Sequence, residues 1–275
     1  MALSLCGALA CMPAMTALAQ EDASVRTAER LLHSSRLAVQ MRGLPAQMEA
    51  DFKQSGAVLD QKLMEALLAA VRTSFEPEML EVDITARVAK KLTIADMNAA
   101  LAWLESPAGQ RITRAEELGS TEFDASRYAR YVESLREKRL AEQRGQMLAA
   151  IVTATNGAEA ALATQEAIAL GVAVGMDTLQ PAERRLGEAT LRVRVRQAVR
   201  SEQVRSAIAE QLPPLYAYFY RDVPDADLAA YVRFLGTTAG KRYQEGMTAA
   251  YVESLGRASI RAGELAREQQ RRTSM

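Results

Sequence analysis

The sequence has little of the side-chain chemistry on which most enzymes depend. Of its 275 residues, one is histidine and two are cysteine, and both cysteines, Cys6 and Cys11, lie within the first 19 residues. Few groups are therefore left for a zinc site or a thiol nucleophile. The GxSxG, HExxH, P-loop, GxGxxG and EF-hand patterns are absent as well. We predict no cofactor and no metal, and we favour a non-enzymatic role, while a serine- or carboxylate-based mechanism stays open.

The chain also has no excess of charge and few aromatic residues. Its 34 basic residues balance 34 acidic ones, whereas proteins that bind nucleic acid usually carry a clear basic excess. Aromatic residues make up 5% of the chain, which is low for a β-sandwich or barrel. Apolar residues at 49% and charged residues at 25% are typical of a globular domain. We predict a globular protein without a nucleic-acid partner.

Charged residues are missing from the first 19 positions. This apolar stretch ends in Ala17-Leu18-Ala19, the small-x-small pattern of a signal-peptide cleavage site. Pro13 interrupts the run, which disfavours a continuous bilayer-spanning helix. We expect cleavage near Ala19, a periplasmic or secreted protein, and no transmembrane span in the mature chain. A retained N-terminal anchor and lipidation at Cys11 are the alternatives.

The remainder of the chain has the spacing of helices. Leucine or valine recurs at every fourth position within residues 57–72, which predicts an amphipathic helix. Residues 186–208 are ambiguous, because apolar residues alternate with arginines at the period of a strand while also fitting one helical face. The neighbouring residues lack turn signals, so helix is favoured there. We predict an all-α fold of about ten helices in two related helical-bundle units.

The two units are indicated by an internal repeat. Residues 92–112 match residues 223–243 at seven of 21 positions when shifted by 131 residues, where composition alone would give about one or two matches. The pentapeptide Tyr-Val-Glu-Ser-Leu also occurs twice, beginning at Tyr131 and at Tyr251. We therefore predict a signal peptide over residues 1–19, then repeat units over residues 20–140 and 141–275.

Each copy of the repeat predicts two helices joined at a tight corner. Thr93 and the acid three residues later form a capping box for the first helix. Ser106 in the first copy and Thr237 in the second are expected to cap the next helix. A glycine follows in its first turn, where a side chain would meet the preceding helix, and an aromatic residue anchors the pair. These structural positions are Asp96, Trp103, Pro107 and Gly109 in the first copy and Asp227, Phe234 and Gly240 in the second.

The sequence pattern of the corner resembles that of a known family. The pattern is an aromatic residue and leucine, followed by Ser or Thr, then Pro or Thr, then Ala-Gly, and then basic or amide residues. It is similar to the core of the domain-of-unknown-function family numbered 2059, which comprises exported bacterial helical domains. The second copy departs from the family pattern at Thr238, where proline is usual. The resemblance implies an all-α fold and an envelope location. It implies no reaction, ligand or partner.

Two equivalent acids are candidates for chemistry. If the units pack about a pseudo-two-fold axis, Asp96 and Asp227 would approach each other as paired catalytic carboxylates do. The alternative is that each acid caps its own helix and interacts favourably with the helix dipole. Convergence of these acids would indicate a ligand-binding or hydrolytic protein with a pocket at the repeat interface.

A cluster of aromatic residues is a candidate for binding instead. It follows Pro213-Pro214, where we expect a helix break, and suggests a surface for an envelope protein or the membrane surface. Alternatively, the cluster is a hydrophobic plug between the two halves. Our leading prediction is an exported, non-enzymatic module that binds a partner protein or the envelope surface. The candidate partner-binding residues are Tyr216, Tyr218, Phe219 and Tyr220.

Overall fold

The computed structural model describes residues 12–46, 48–49 and 61–273. These residues form thirteen α-helices and one short 3-10 helix, and no strand is found among them. The all-α prediction is confirmed, with somewhat more helices than the ten expected. Residues 1–11, with Cys6 and Cys11, lie outside the described residues, so lipidation at Cys11 stays a prediction.

The helices are numbered in chain order. The first seven are α1 (Met12–Ser34), α2 (Leu37–Met41), α3 (Gln61–Ser74), α4 (Pro77–Lys91), α5 (Ile94–Leu104), α6 (Pro107–Thr121) and α7 (Ala125–Glu137). The next six are α8 (Glu142–Ala154), α9 (Gly157–Leu179), α10 (Glu188–Val199), α11 (Glu202–Phe219), α12 (Asp225–Gly236) and α13 (Thr238–Thr273). The 3-10 helix, Ala182–Arg184, lies between α9 and α10.

The longest helix, α13, is the element around which the others assemble. Its 36 residues pack against α3, α4, α5, α9 and α12. The main hydrophobic core is continuous from α1 to α13, and it includes Leu31 near one end of the chain and Leu255 near the other, both fully buried. The two predicted repeat units therefore share one core, and their boundary near residue 140 stays a prediction.

Helices α9 and α13 approach so closely that only small residues fit at their crossing. A Cβ atom added at Gly263 would lie 2.1 Å from the Cα atom of Gly175, and one added at Gly171 would lie 1.9 Å from the Cβ atom of Ser259. On each helix the two small residues are four apart, so they share one face. Glycine at three of these positions and the short side chain of Ser259 at the fourth allow the two helices to lie this close together.

The arginine-rich segment and the proline pair are both helical in the structure. The arginine-rich alternation lies in α10, so the helical interpretation is confirmed. The helix break expected at Pro213-Pro214 is wrong, because both prolines lie inside α11. Each proline removes one backbone donor and crowds the carbonyl group four residues earlier, yet α11 continues through the pair to Phe219 while packed against neighbouring helices.

Across the described ranges, no helix is both long enough and apolar enough to cross a bilayer.

Candidate functional site

Both predicted corners form, and they use the same hydrogen bonds. In the first corner the hydroxyl of Ser106 donates to the carbonyl of Trp103 over 2.6 Å and accepts from the amide of Gly109 over 3.0 Å. In the second corner Thr237 makes both bonds at the same two lengths with the equivalent residues. The expected caps of α6 and α13 are thereby confirmed.

The glycine of each corner is required by the close approach of the preceding helix. A Cβ atom on Gly109 would lie 2.1 Å from the carbonyl oxygen of Trp103, and one on Gly240 would lie 2.1 Å from that of Phe234. As predicted, a side chain at either glycine would clash with the preceding helix. The two anchoring rings, Trp103 and Phe234, stack on each other with centroids 5.1 Å apart.

Each candidate acid is bound by an arginine from the other corner. Arg111 donates from Nε and Nη2 to the two carboxylate oxygens of Asp227, over 2.5 and 2.8 Å. Arg242 donates from Nη1 to Asp96 over 3.0 Å. The arginines are related by the same 131-residue shift as the acids. The contact between the corners is thus reciprocal, as in a two-fold symmetric dimer.

These contacts hold both carboxyl groups in the ionised form. The hydrogen bond and the positive charge of Arg111 lower the pKa of Asp227 below its usual value. The pKa of Asp96 is lowered by the hydroxyl of Thr93 and by Arg242. Thr93 also accepts from the amide of Asp96, which is the capping contact expected from the sequence. A general acid needs a raised pKa, so neither aspartate is suited to donate a proton.

The Arg111 pair gives a prediction about acid stability. Because the pKa of Asp227 is lowered on folding, the pair stabilises the protein above the ordinary aspartate pKa, and this contribution is lost as the pH falls through the folded value. Arg111→Met should therefore lower the melting temperature most at neutral pH and least in strongly acidic solution. Thermal unfolding at several pH values checks this. Arg242→Met is the matched variant, because it removes the equivalent ion pair with Asp96. If both variants lower the melting temperature by the same amount at every pH, the prediction is contradicted.

The aromatic cluster of α11 lies largely in the interior. Tyr218 and Tyr220 are each 3% exposed, and the ring of Tyr218 lies 5.5 Å from each of two tyrosine rings of α7. The ring of Phe219 packs directly over Gly119 of α6, and Tyr216 is half-buried. The arrangement fits the alternative of a hydrophobic plug, and Tyr218 and Tyr220 lack the exposure that a partner surface requires.

A cavity of about 260 Å³ lies at the junction of the two corners, and we call it the corner cavity. Positions related by the 131-residue shift line it together, among them Ile112 with Tyr243 and Glu116 with Met247. Glu116 is the one charged residue in its described lining. The aromatic lining residues are Trp103, Tyr216, Tyr220, Tyr231, Tyr243 and Tyr251.

Glu116 is the polar centre of the corner cavity. The hydroxyls of Tyr220 and Tyr231 both donate to its Oε1 atom, over 2.6 and 3.3 Å. Among the described residues, no hydrogen bond reaches its Oε2 atom. Burial raises the pKa of Glu116, and the two tyrosine hydrogen bonds offset only part of that effect. Burial and the nearby carboxyl group of Glu116 also raise the pKa values of Tyr220 and Tyr231 well above the usual value for tyrosine.

Glu116 is a site residue that the sequence patterns do not predict. The signal available was its position four residues after Ile112, which places an acid on the buried face of α6. Its partners are Tyr220, which directly follows α11, and Tyr231 of α12, and both are more than 100 residues away in the sequence. No spacing within the sequence relates three such positions.

Replacing Glu116 is expected to change the pH dependence of stability in the opposite sense to Arg111→Met. A raised folded pKa means that the stability of the protein falls as the pH rises from the ordinary glutamate value through the folded value. Glu116→Gln keeps an acceptor for both tyrosines and removes the ionisation. It should melt at or above the wild-type temperature at neutral pH, with the difference shrinking toward pH 4. A variant that melts lower than wild type at neutral pH would contradict this.

The described parts of the chain contain no cluster of three histidine, cysteine, aspartate or glutamate residues that would hold a metal ion.

Fold and cavity together define an all-α protein that has a cavity between two corners, with aromatic residues and one acidic side chain, Glu116, in its described lining. Residues 78–123 match the model of a family described as "Uncharacterized protein conserved in bacteria (DUF2059)". The match includes the first corner and Glu116, and it confirms the resemblance derived from the corner pattern. No curated protein and no solved structure matched the chain.

Proposed function

We propose that this protein is an exported, non-enzymatic module of the bacterial envelope that binds a small ligand in the corner cavity. The observation that carries the proposal is the carboxyl group of Glu116, which has one oxygen bonded by two tyrosines and faces a cavity of about 260 Å³. A buried carboxyl with a raised pKa in a cavity is a common feature of functional sites. This proposal takes the ligand-binding alternative and places its site at Glu116 rather than at Asp96 and Asp227.

Binding is proposed rather than catalysis because of the groups that surround Glu116. The described lining includes no histidine, lysine, arginine or cysteine, so the cavity lacks the usual nucleophile–base pairs. The two aspartates considered from the sequence are held in ion pairs by Arg111 and Arg242. Binding of a partner protein through the α11 aromatic cluster is not proposed, because Tyr218 and Tyr220 are buried.

We also propose that the two corners are copies of one unit. Equal capping bonds, reciprocal Arg–Asp pairs and paired lining positions support this. In such an arrangement the cavity straddles the pseudo-two-fold axis, with Glu116 on one side and Met247 on the other. A pocket between two copies of a unit is a common location for a ligand site.

The ligand proposal is tested by analysing what the native protein carries. The full chain is purified from the envelope fraction, denatured, and the released small molecules are identified by mass spectrometry. The cavity-filling variant Ala160→Phe should release less of any specific compound, whereas Gly145→Ala, at a glycine with nothing within 4 Å of its added Cβ, should release as much as wild type. Equal release from all three proteins, or none from any, would count against the proposal.

Export is tested by the same preparation. The proposal expects the N-terminal peptide to begin at Gln20 and the protein to fractionate with the envelope. Recovery of the chain in the cytosol with residues 1–19 attached would overturn export. A retained N-terminus in the envelope fraction would instead support the anchored alternative.

A further inference from the structure

The corner cavity contains an acid, Glu116, that has no basic partner among the residues that the structure describes. Every other buried or half-buried acid discussed above is bound by arginine, as Asp227 is by Arg111. Glu116 has only the hydroxyls of Tyr220 and Tyr231, and its described surroundings in the cavity contain no positive charge. An ionised carboxylate in such a place is unfavourable unless a cation is supplied. A bound organic cation would supply the positive charge that the described lining of the cavity does not contain.

The remaining lining is the kind that attracts organic cations. Six aromatic residues line the cavity, among them Trp103 and Tyr243. Aromatic rings attract cations electrostatically, and cages of tyrosine and tryptophan recognise quaternary ammonium groups. A hydrated metal ion would instead require several carboxylate or carbonyl ligands, and the described lining offers one carboxylate.

The size of the cavity restricts the ligand further. Sites for drug-sized ligands occupy about 300–1,000 Å³, and the corner cavity is slightly smaller at about 260 Å³. A peptide or a glycan chain is too large for it. A compact ammonium head group with a short substituent is of suitable size.

We propose that the corner cavity binds a small organic cation of the substituted-ammonium class, with the Glu116 carboxylate as counter-ion and the surrounding tyrosine and tryptophan rings as the cage. This inference rests on the proposed ligand-binding function and specifies its ligand class. Choline is the probe of choice, because it carries a quaternary ammonium group on a short polar chain.

Binding of the cation is expected to release a proton. Burial raises the pKa of Glu116, whereas a bound cation favours the ionised form. The groups that face Glu116 are Tyr220, Tyr216, Tyr231 and Tyr243, all with raised pKa values, so they stay neutral near pH 7. The affinity for choline should therefore increase as the pH rises through the pKa of Glu116.

The experiment uses the fluorescence of Trp103, the one tryptophan of the chain, which lies in the cavity wall. The full chain is titrated with choline chloride, with sodium chloride at equal concentration as the salt control. A second titration uses the uncharged isostere of choline, in which a tert-butyl group replaces trimethylammonium. Both are repeated on Glu116→Gln, whose folding is verified by circular dichroism and melting temperature.

The proposal expects a saturable change with choline, a response to the isostere at least about tenfold weaker, and a loss of choline affinity of about tenfold or more in Glu116→Gln. Equal affinity for choline and the isostere, or an unchanged affinity in Glu116→Gln, would overturn the cation class. So would no response to choline. In each of these cases the compound released from the native protein decides the ligand-binding function separately, because that measurement does not depend on the choice of probe.

Discussion

A Gly109→Ala substitution is expected to lower the free energy of unfolding by about 3 kcal/mol, near the upper end for overpacking of a tightly packed site. The added methyl group would lie 2.1 Å from the carbonyl oxygen of Trp103 and 2.9 Å from the Cα atom of Leu104. Both atoms belong to the backbone, so no side-chain rotation relieves the contact. For a domain of this size the melting temperature should fall by about 6–12 °C. Thermal and urea unfolding measure the effect.

The comparison for this variant is Gly145→Ala. Gly145 also lies in a helix, α8, but an added Cβ would meet nothing within 4 Å. Alanine is the better helix former by about 1 kcal/mol, so this variant should be slightly more stable than wild type. Gly240→Ala should behave like Gly109→Ala, since the same 2.1 Å contact occurs in the second corner. If Gly109→Ala is as stable as Gly145→Ala, the close contact between Gly109 and the preceding helix does not restrict this position, and the prediction is contradicted.

The features that could be predicted from the sequence are those fixed within a few residues. The capping of α6 by Ser106, and of α13 by Thr237, depends on residues three positions apart. The need for Gly109 depends on the turn that immediately precedes it. Such short-range constraints appear directly as residue types at fixed spacing. For that reason the all-α fold and both corners could be predicted without any knowledge of the packing.

The candidate site could not be predicted in the same way, because it depends on contacts between distant residues. The repeat makes the convergence of Asp96 and Asp227 one of two alternatives, but it carries no information about which side chain of one copy meets which side chain of the other. The structure pairs each acid with an arginine of the opposite corner. Glu116 has no acidic equivalent, since Met247 stands at the related position. A search for pairs of equivalent acids therefore does not find Glu116, the acid in the described lining of the cavity.

Whether α11 continues through its proline pair, and whether the aromatic residues after the pair are exposed, also depends on packing. Pro213 and Pro214 are strong helix-breaking signals, and a cluster of aromatic residues directly after a break suggests an exposed segment. In the structure, packing against α6, α7 and α8 stabilises α11 through the proline pair. Tertiary contacts thus outweigh the local preference, and Tyr218 and Tyr220 are buried as a consequence.

A Gly263→Ala substitution is expected to separate α9 from α13 and to destabilise the protein by about 3 kcal/mol. The new Cβ would lie 2.1 Å from the Cα atom of Gly175 and 2.9 Å from its nitrogen, so the two helix axes have to move apart. The matched control is Gly256→Ala on the same helix, where the nearest atom is 3.6 Å away. That control should be as stable as wild type or more stable, and thermal unfolding of the pair measures the difference.

The same pair of variants also tests whether the close helix crossing shapes the corner cavity. Helix α9 contributes Ala160 to the cavity wall, and α13 contributes Tyr243 and Tyr251. A shift that separates the two helices enlarges the distance between these side chains. Gly263→Ala should therefore weaken the Trp103 fluorescence response to choline in protein that is still folded at low temperature, while Gly256→Ala leaves it unchanged. An undiminished response in Gly263→Ala would show that the crossing supports the fold without setting the dimensions of the site.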